Sequence, residues 1–125
     1  MHDIAVVQGI LDEIVKQAGE KKPKEITIVA GVGALRFVDP ENAKFWLLEM
    51  LKKEFGPGLK ASVTIETILP EIKCDCGFSG KVKEYSATHD MVHLGLYEMA
   101  CPKCKGKKFA LLNGQGCVIK KLDIK

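Results

Sequence analysis

The chain has 125 residues, 46% of them hydrophobic and 28% charged, with a formal charge of +3 and five cysteines. That length suits one compact domain or a small domain with a metal-pinned satellite, and the balance of charge and hydrophobicity excludes a disordered chain. No run of about 18 apolar residues occurs, and the start lacks a basic segment leading into a hydrophobic stretch, so the expectation is a cytoplasmic protein without membrane span or secretory signal. The charge is uneven: residues 1–72 hold nine Lys/Arg against eleven Asp/Glu, and residues 73–125 hold ten against five. All five cysteines lie beyond Pro70. A boundary is therefore expected there.

In chain order, Ile4, Val7, Leu11, Ile14, Val15 and Ala18 follow helical spacing, with Asp3 available as cap and Gly19 near the end. Residues 24–32 alternate in a β-rich run, which predicts a strand, and Leu35 to Val38 predicts a second short one. Asp39-Pro40-Glu41 is a helix start, with a capping carboxylate before a proline whose missing N–H costs nothing at the first helical position. The apolar positions Ala43, Trp46, Leu47, Met50 and Leu51 carry this helix to Phe55, where Gly56-Pro57-Gly58 stops it. Spacing puts Phe45 and Trp46 in helical core or edge packing. Ala61, Val63 and Ile65 then alternate with polar residues as another strand. The fold class expected is α+β: a small β-sheet with two helices on one face, plus a zinc-ribbon-like domain. Gly31-Val32-Gly33 is only a fragment of a dinucleotide fingerprint, because Arg36 stands at the third glycine position.

Cys74-Asp75-Cys76-Gly77 and Cys101-Pro102-Lys103-Cys104 form two close cysteine pairs. In a reducing compartment, four clustered thiols favour tetrahedral zinc over disulfides, so Cys74, Cys76, Cys101 and Cys104 are the expected zinc ligands. The first pair has one intervening residue where two or more are usual. That leaves open a set in which His89 or His93 replaces one cysteine. A redox dithiol at Cys101 and Cys104 is a competing reading. Gly77 and Gly106 suit tight turns whose amides approach the sulfurs. Cys117 is expected to be a buried small hydrophobe on a terminal strand.

His89 and His93 are spaced four apart, which places both on one face if the segment is helical, so a second metal site there is conceivable. His2 offers another donor set. The Met1 amine, the His2 backbone nitrogen and the His2 Nδ1 can close adjacent five- and six-membered chelate rings in a planar nitrogen field, which nickel(II) and copper(II) accept.

Met1-His2-Asp3 leading into a helix, Val32-Gly33-Ala34-Leu35 before Val38-Asp39-Pro40-Glu41-Asn42-Ala43-Lys44-Phe45, a strand ending at Pro70, the two cysteine pairs and a closing strand from Gly116 to Ile124 together resemble the HypA family of hydrogenase nickel-insertion proteins. The match runs in order along essentially the whole chain. It implies a nickel-binding α/β domain over residues 1–70, completed by 115–125 as a returning strand, and a zinc-binding domain over 71–114. It implies a metallochaperone, not an enzyme, with nickel(II) as cargo at Met1, His2 and Asp3, His93 completing the shell, and structural zinc(II). The implied partners are a GTPase of the HypB type and the large subunit of a [NiFe] hydrogenase, with neither nucleic acid nor membrane. Two positions depart from the family pattern: Asp3 stands where Glu is usual, and Asp75 alone separates the first cysteine pair. The alternative function is a zinc-ribbon module binding RNA or protein, motivated by Lys103, Lys105, Lys107 and Lys108 around the second pair.

Overall fold

The computed structural model describes residues 3–125 and side chains from Ile4 onward. Met1 and His2, and with them the expected terminal chelate, lie outside the described residues. The chain divides into two compact units. One comprises Val32–Phe37 and Thr67–Gly116; the other comprises residues 3–31, Val38–Glu66 and Cys117–Lys125.

The second unit carries helix α1 (Asp3–Ala18), helix α2 (Pro40–Phe55) and a three-stranded sheet in the order β2 (Lys60–Ile68), β1 (Glu25–Gly33), β8 (Cys117–Ile124). Asp3 is the first described residue and lies within helix α1; its side chain, and with it the expected cap, falls outside the described side chains. Val6, Val7, Ile10, Leu11, Ile14 and Ala18 form its buried face, whereas Ile4 is exposed. Gly19 follows at φ +60°, the left-handed conformation that glycine adopts without steric cost. Helix α2 starts as its sequence demands: the Asp39 side chain accepts a hydrogen bond from the Glu41 N–H at 3.0 Å, and Pro40 follows it. It buries Ala43, Leu47 and Leu51, and the Gly56 N–H closes it on the Lys52 carbonyl at 2.8 Å. That stripe excludes Phe45 and Trp46. Both are exposed and meet edge to face at 5.5 Å, so of the core or edge packing expected for them the core placement is excluded.

Strand β1 is central in its sheet, and its alternating Ile26, Ile28 and Ala30 are fully buried. Strand β2 buries Val63 and exposes Ser62, Thr64 and Glu66, as an edge strand with one solvated face should. The Lys125 N–H donates to the Glu25 carbonyl at 2.8 Å and the Gly33 N–H to the Gly116 carbonyl at 2.7 Å, so β8 runs antiparallel to β1. Cys117, at the start of β8, is exposed and not the buried hydrophobe expected, because the strand takes an edge position and both Cys117 and Val118 at its start are left uncovered.

The expected strand at Leu35 to Val38 is replaced by a 3-10 turn over Ala34–Arg36. The Phe37 N–H returns to the Ala34 carbonyl at 3.1 Å, and Phe37 itself sits at φ +53°. The Leu35 N–H finds the Gly114 carbonyl at 2.9 Å instead of a ladder partner. Leu35 thereby enters the core of the cysteine-bearing unit, with Ile72, Val82, Met99, Cys74 and Cys101. Phe37 packs edge to face on Tyr85 at 5.9 Å. Gly33 is required here, since a Cβ at its position would run into the Gly114 carbonyl.

Around that core lie β3 (Glu71–Cys74), β4 (Ser79–Lys81) and β7 (Phe109–Asn113), ordered β4-β3-β7 and antiparallel throughout. A second, two-stranded sheet pairs β5 (Tyr85–Ser86) with β6 (Glu98–Met99), and the short helix α3 (His89–His93) lies between them in sequence. The whole is an α+β chain with two main helices, small sheets and a zinc-ribbon-like cysteine unit. No helix among the described residues is long and apolar enough to cross a membrane.

Candidate metal centres

Cys74 ends β3 and Cys76 occupies the turn that follows. The Gly77 N–H donates to the Cys74 carbonyl at 3.0 Å, closing a four-residue turn, and the Cys74 N–H donates to the Phe78 carbonyl at 2.8 Å as the chain reverses into β4. Gly77 takes φ +101°, a conformation open to glycine but strained for other residues. The single spacer is therefore accommodated, because the cysteines stand at the first and third positions of one tight turn. On the other side, the Cys101 N–H donates to the Gly106 carbonyl and the Lys105 N–H to the Cys101 carbonyl, each at 2.9 Å. The Gly106 N–H points at the Cys104 Sγ at 3.4 Å.

These two turns bring together the four sulfurs that the sequence singles out. Cys74 Sγ lies 3.6 Å from Cys104 Sγ, Cys76 Sγ lies 3.6 Å from Cys101 Sγ, and all four sulfurs fall within 4.8 Å of one another. Four thiolates at about 2.3 Å from a tetrahedral zinc ion stand about 3.8 Å apart, so the cluster needs only small adjustments to close on one. Cys74 and Cys101 are buried, while Cys76 and Cys104 are exposed. Neither His89 nor His93 joins this cluster; among the described residues it is the one group of three or more donors able to hold a metal.

The thiols already respond to one another. At Cys74 the backbone hydrogen bond from Cys76 pulls downward, but burial and the three neighbouring thiols together push the group up to about 12. At Cys101 burial pushes upward and is overcome by backbone hydrogen bonds from Cys104 and Lys103 and by the Cys76 and Cys104 thiols, which bring it down to about 7. One sulfur thus carries charge readily while its neighbour holds its proton, because the four thiols share hydrogen bonds within one cluster.

The second candidate donor set is on α3. The Thr88 Oγ1 accepts the Met91 N–H at 3.2 Å, capping a turn that carries His89 and His93 on one face. Their Nε2 atoms are 3.0 Å apart and their rings nearly perpendicular at 88°. Both residues are exposed. The four lysines around the second cysteine pair are exposed as well.

The sequence profile of the HypA family, described as hydrogenase/urease nickel incorporation and metallochaperone, matches residues 1–124. The chain belongs to the HypA family. HypA relatives named as hydrogenase maturation factors include one from Thermococcus onnurineus, 31% identical over 99% of this chain and 96% of the relative, and one from Methanocaldococcus jannaschii, 31% identical over 99% and 97%. The fold agrees with a solution structure of the nickel metallochaperone HypA from Helicobacter pylori, at a TM-score of 0.59 and 21% identity over 99% of this chain and 97% of that one. HypA proteins are metallochaperones of nickel incorporation in hydrogenase maturation and not catalysts. The chain's chemistry is accordingly that of holding and exchanging ligands.

Proposed function

We propose that the chain binds nickel(II) at its amino terminus and helps deliver it to the large subunit of a [NiFe] hydrogenase, working in the cytoplasm with a GTPase of the HypB type. The donors are the Met1 amine, the His2 backbone nitrogen and Nδ1, and the Asp3 backbone nitrogen, with His93 as a further ligand. Cys74, Cys76, Cys101 and Cys104 hold a structural zinc ion. The observation that carries the zinc assignment is the four-sulfur cluster with all atoms within 4.8 Å. The family match, which includes the first residues, supports nickel as cargo.

The two metals divide by ligand chemistry. Four thiolates make a closed, soft site for zinc, whereas amine, deprotonated amide and imidazole suit a planar nickel ion. A cargo site must release its ion by ligand exchange, which amine, amide and imidazole donors that protons can compete for allow more readily than a closed four-thiolate cage. Substituting Glu by Asp at position 3 leaves that chelate intact, because the donor is the backbone nitrogen, common to both.

The test is a nickel titration of zinc-loaded wild type, His2→Ala and a chain extended by residues before Met1. Both altered chains should lose the tight nickel site while retaining one zinc each by metal analysis. Equal nickel affinity in all three would sink the terminal chelate. Loss of zinc from Cys101→Ser but not from wild type would support the cysteine set, and retention in both would refute it.

A further inference from the structure

We infer that His89 and His93 form a second cation site, a two-imidazole chelate on α3 that takes nickel(II) without the terminal donors whenever His93 is not engaged by the amino-terminal ion. The choice of nickel as its ion rests on the function proposed above; the site itself rests on geometry.

Two nitrogens held about 2.1 Å from one metal ion and 3.0 Å from each other subtend an angle of about 90° at the metal. That is the angle between adjacent ligands in square-planar or octahedral coordination. A tetrahedral ion would need its nitrogens roughly 3.4 Å apart, so the spacing favours a nickel-like geometry over a zinc-like one. The rings are placed for it. They cross at 88° with centroids 4.5 Å apart, and the two Nε2 atoms face each other at hydrogen-bond distance.

The backbone fixes this arrangement. Four-residue spacing stacks the side chains on one helical face, and the single turn that carries them is held at one end by Thr88 and at the other by the Leu94 N–H, which reaches the Asp90 carbonyl at 3.2 Å. In the metal-free pair one Nε2–H donates to the other Nε2. When a cation binds, the donor ring carries its proton on Nδ1 instead, so both rings stay neutral and both Nε2 lone pairs face the ion. Because both imidazoles are exposed, water completes the coordination shell and the ion enters and leaves without rearrangement of the core. The site has two protein donors, so it binds more weakly than a terminal chelate with three or more.

The experiment follows the His89 and His93 ring protons by NMR while nickel chloride is added to the zinc-loaded, full-length protein. Wild type and His2→Ala should both show the two rings broadening together, since nickel(II) with water in its remaining positions is paramagnetic. His89→Gln and His93→Gln should each raise the nickel concentration needed to broaden the surviving ring by roughly tenfold, because the second imidazole of a chelate binds at high effective concentration. Unchanged Val82 and Met99 methyl shifts would show that the cysteine unit remains folded in these variants. No broadening at millimolar nickel, or a His93 response indifferent to His89→Gln, would overturn the chelate and leave a hydrogen-bonded pair. If instead the pair responds as expected while His2→Ala titrates like wild type overall, the terminal reading fails and the α3 site stands.

Discussion

The two units solve the problem of stability by different means. The helical unit buries Val7, Ile10, Leu11, Ile14, Ile26, Ile28, Leu47, Leu51 and Val63, long apolar side chains from two helices and a sheet. The core cluster of the cysteine-bearing unit has Leu35, Ile72, Val82 and Met99 as its buried apolar residues, and its other buried members are two cysteines, Cys74 and Cys101. Its aromatic residues Phe78, Tyr85, Tyr97 and Phe109 are only partly buried. Small units with so little core commonly depend on a metal or disulfide, and here the two buried cysteines belong to the cluster that would supply the cross-link. One unit is held by apolar area. The other is held by a few apolar contacts and four sulfurs.

The largest expected effect breaks this contrast at the sulfurs. Removing zinc with a chelator, or substituting Cys101→Ser, should abolish amide-exchange protection at Ile72 and Val82 while Ile14 and Ile28 stay protected. Structural zinc at such sites is worth about 10–16 kcal/mol near neutral pH, more than a small core can replace. Acid should act in the same direction, because protons compete with zinc for the thiolates, so zinc content should fall as pH is lowered and recover on return. Equal loss of protection in both units would show that they do not differ in the way their cores suggest.

The reciprocal change is smaller. Leu47→Ala removes a fully buried side chain from α2 and should cost about 2–5 kcal/mol, read as a lower urea midpoint for the helical unit. Zinc content should remain at one per chain. A variant that also lost zinc would mean that the cysteine unit leans on the helical core for its stability.

How far this contrast could be read beforehand depends on whether local residues or distant partners decide each element. Helix α2 is legible because Asp39, Pro40 and Gly56 act on their own neighbours. The cysteine set is legible because its residue types admit few uses, although the one-residue spacing hid how easily a turn closing on Gly77 can present both sulfurs. The 34–36 segment was not legible. Its hydrogen-bond partner, the Gly114 carbonyl, lies far along the chain, and no local pattern announces that Leu35 belongs to the cysteine unit's core. Trp46 matched the apolar spacing of α2, yet the buried stripe through Ala43, Leu47 and Leu51 leaves it at the margin, 37% exposed. Cys117 departs from expectation for a related reason: its residue type favours burial, while its place at the start of an edge strand leaves it exposed.

The Asp39 cap offers a finer probe of the helical unit. Asp39→Ala removes the acceptor for the Glu41 N–H and should cost about 1 kcal/mol, measurable as a lower urea midpoint with unchanged slope. Asp39→Asn should recover most of the loss, since an amide oxygen accepts the same hydrogen bond. Failure of asparagine to rescue would assign the effect to charge near the helix start, for which the expected contribution at an exposed site is smaller.

The smallest effect concerns Lys120 and Glu66, which meet at 2.6 Å with both side chains almost half exposed. Short contact distance suggests strength, but solvent screening and the cost of ordering two long side chains oppose it, so a double-mutant cycle through Lys120→Ala and Glu66→Ala should return a coupling of about 0.5 kcal/mol or less. Raising salt should reduce it further. A coupling well above 1 kcal/mol that survives high salt would show that the β-sheet edge, and not apolar burial alone, holds the helical unit. That result would narrow the difference between the two units, since each would then rely on a cross-link between distant parts of the chain: an ion pair in one and a thiolate-bound metal in the other.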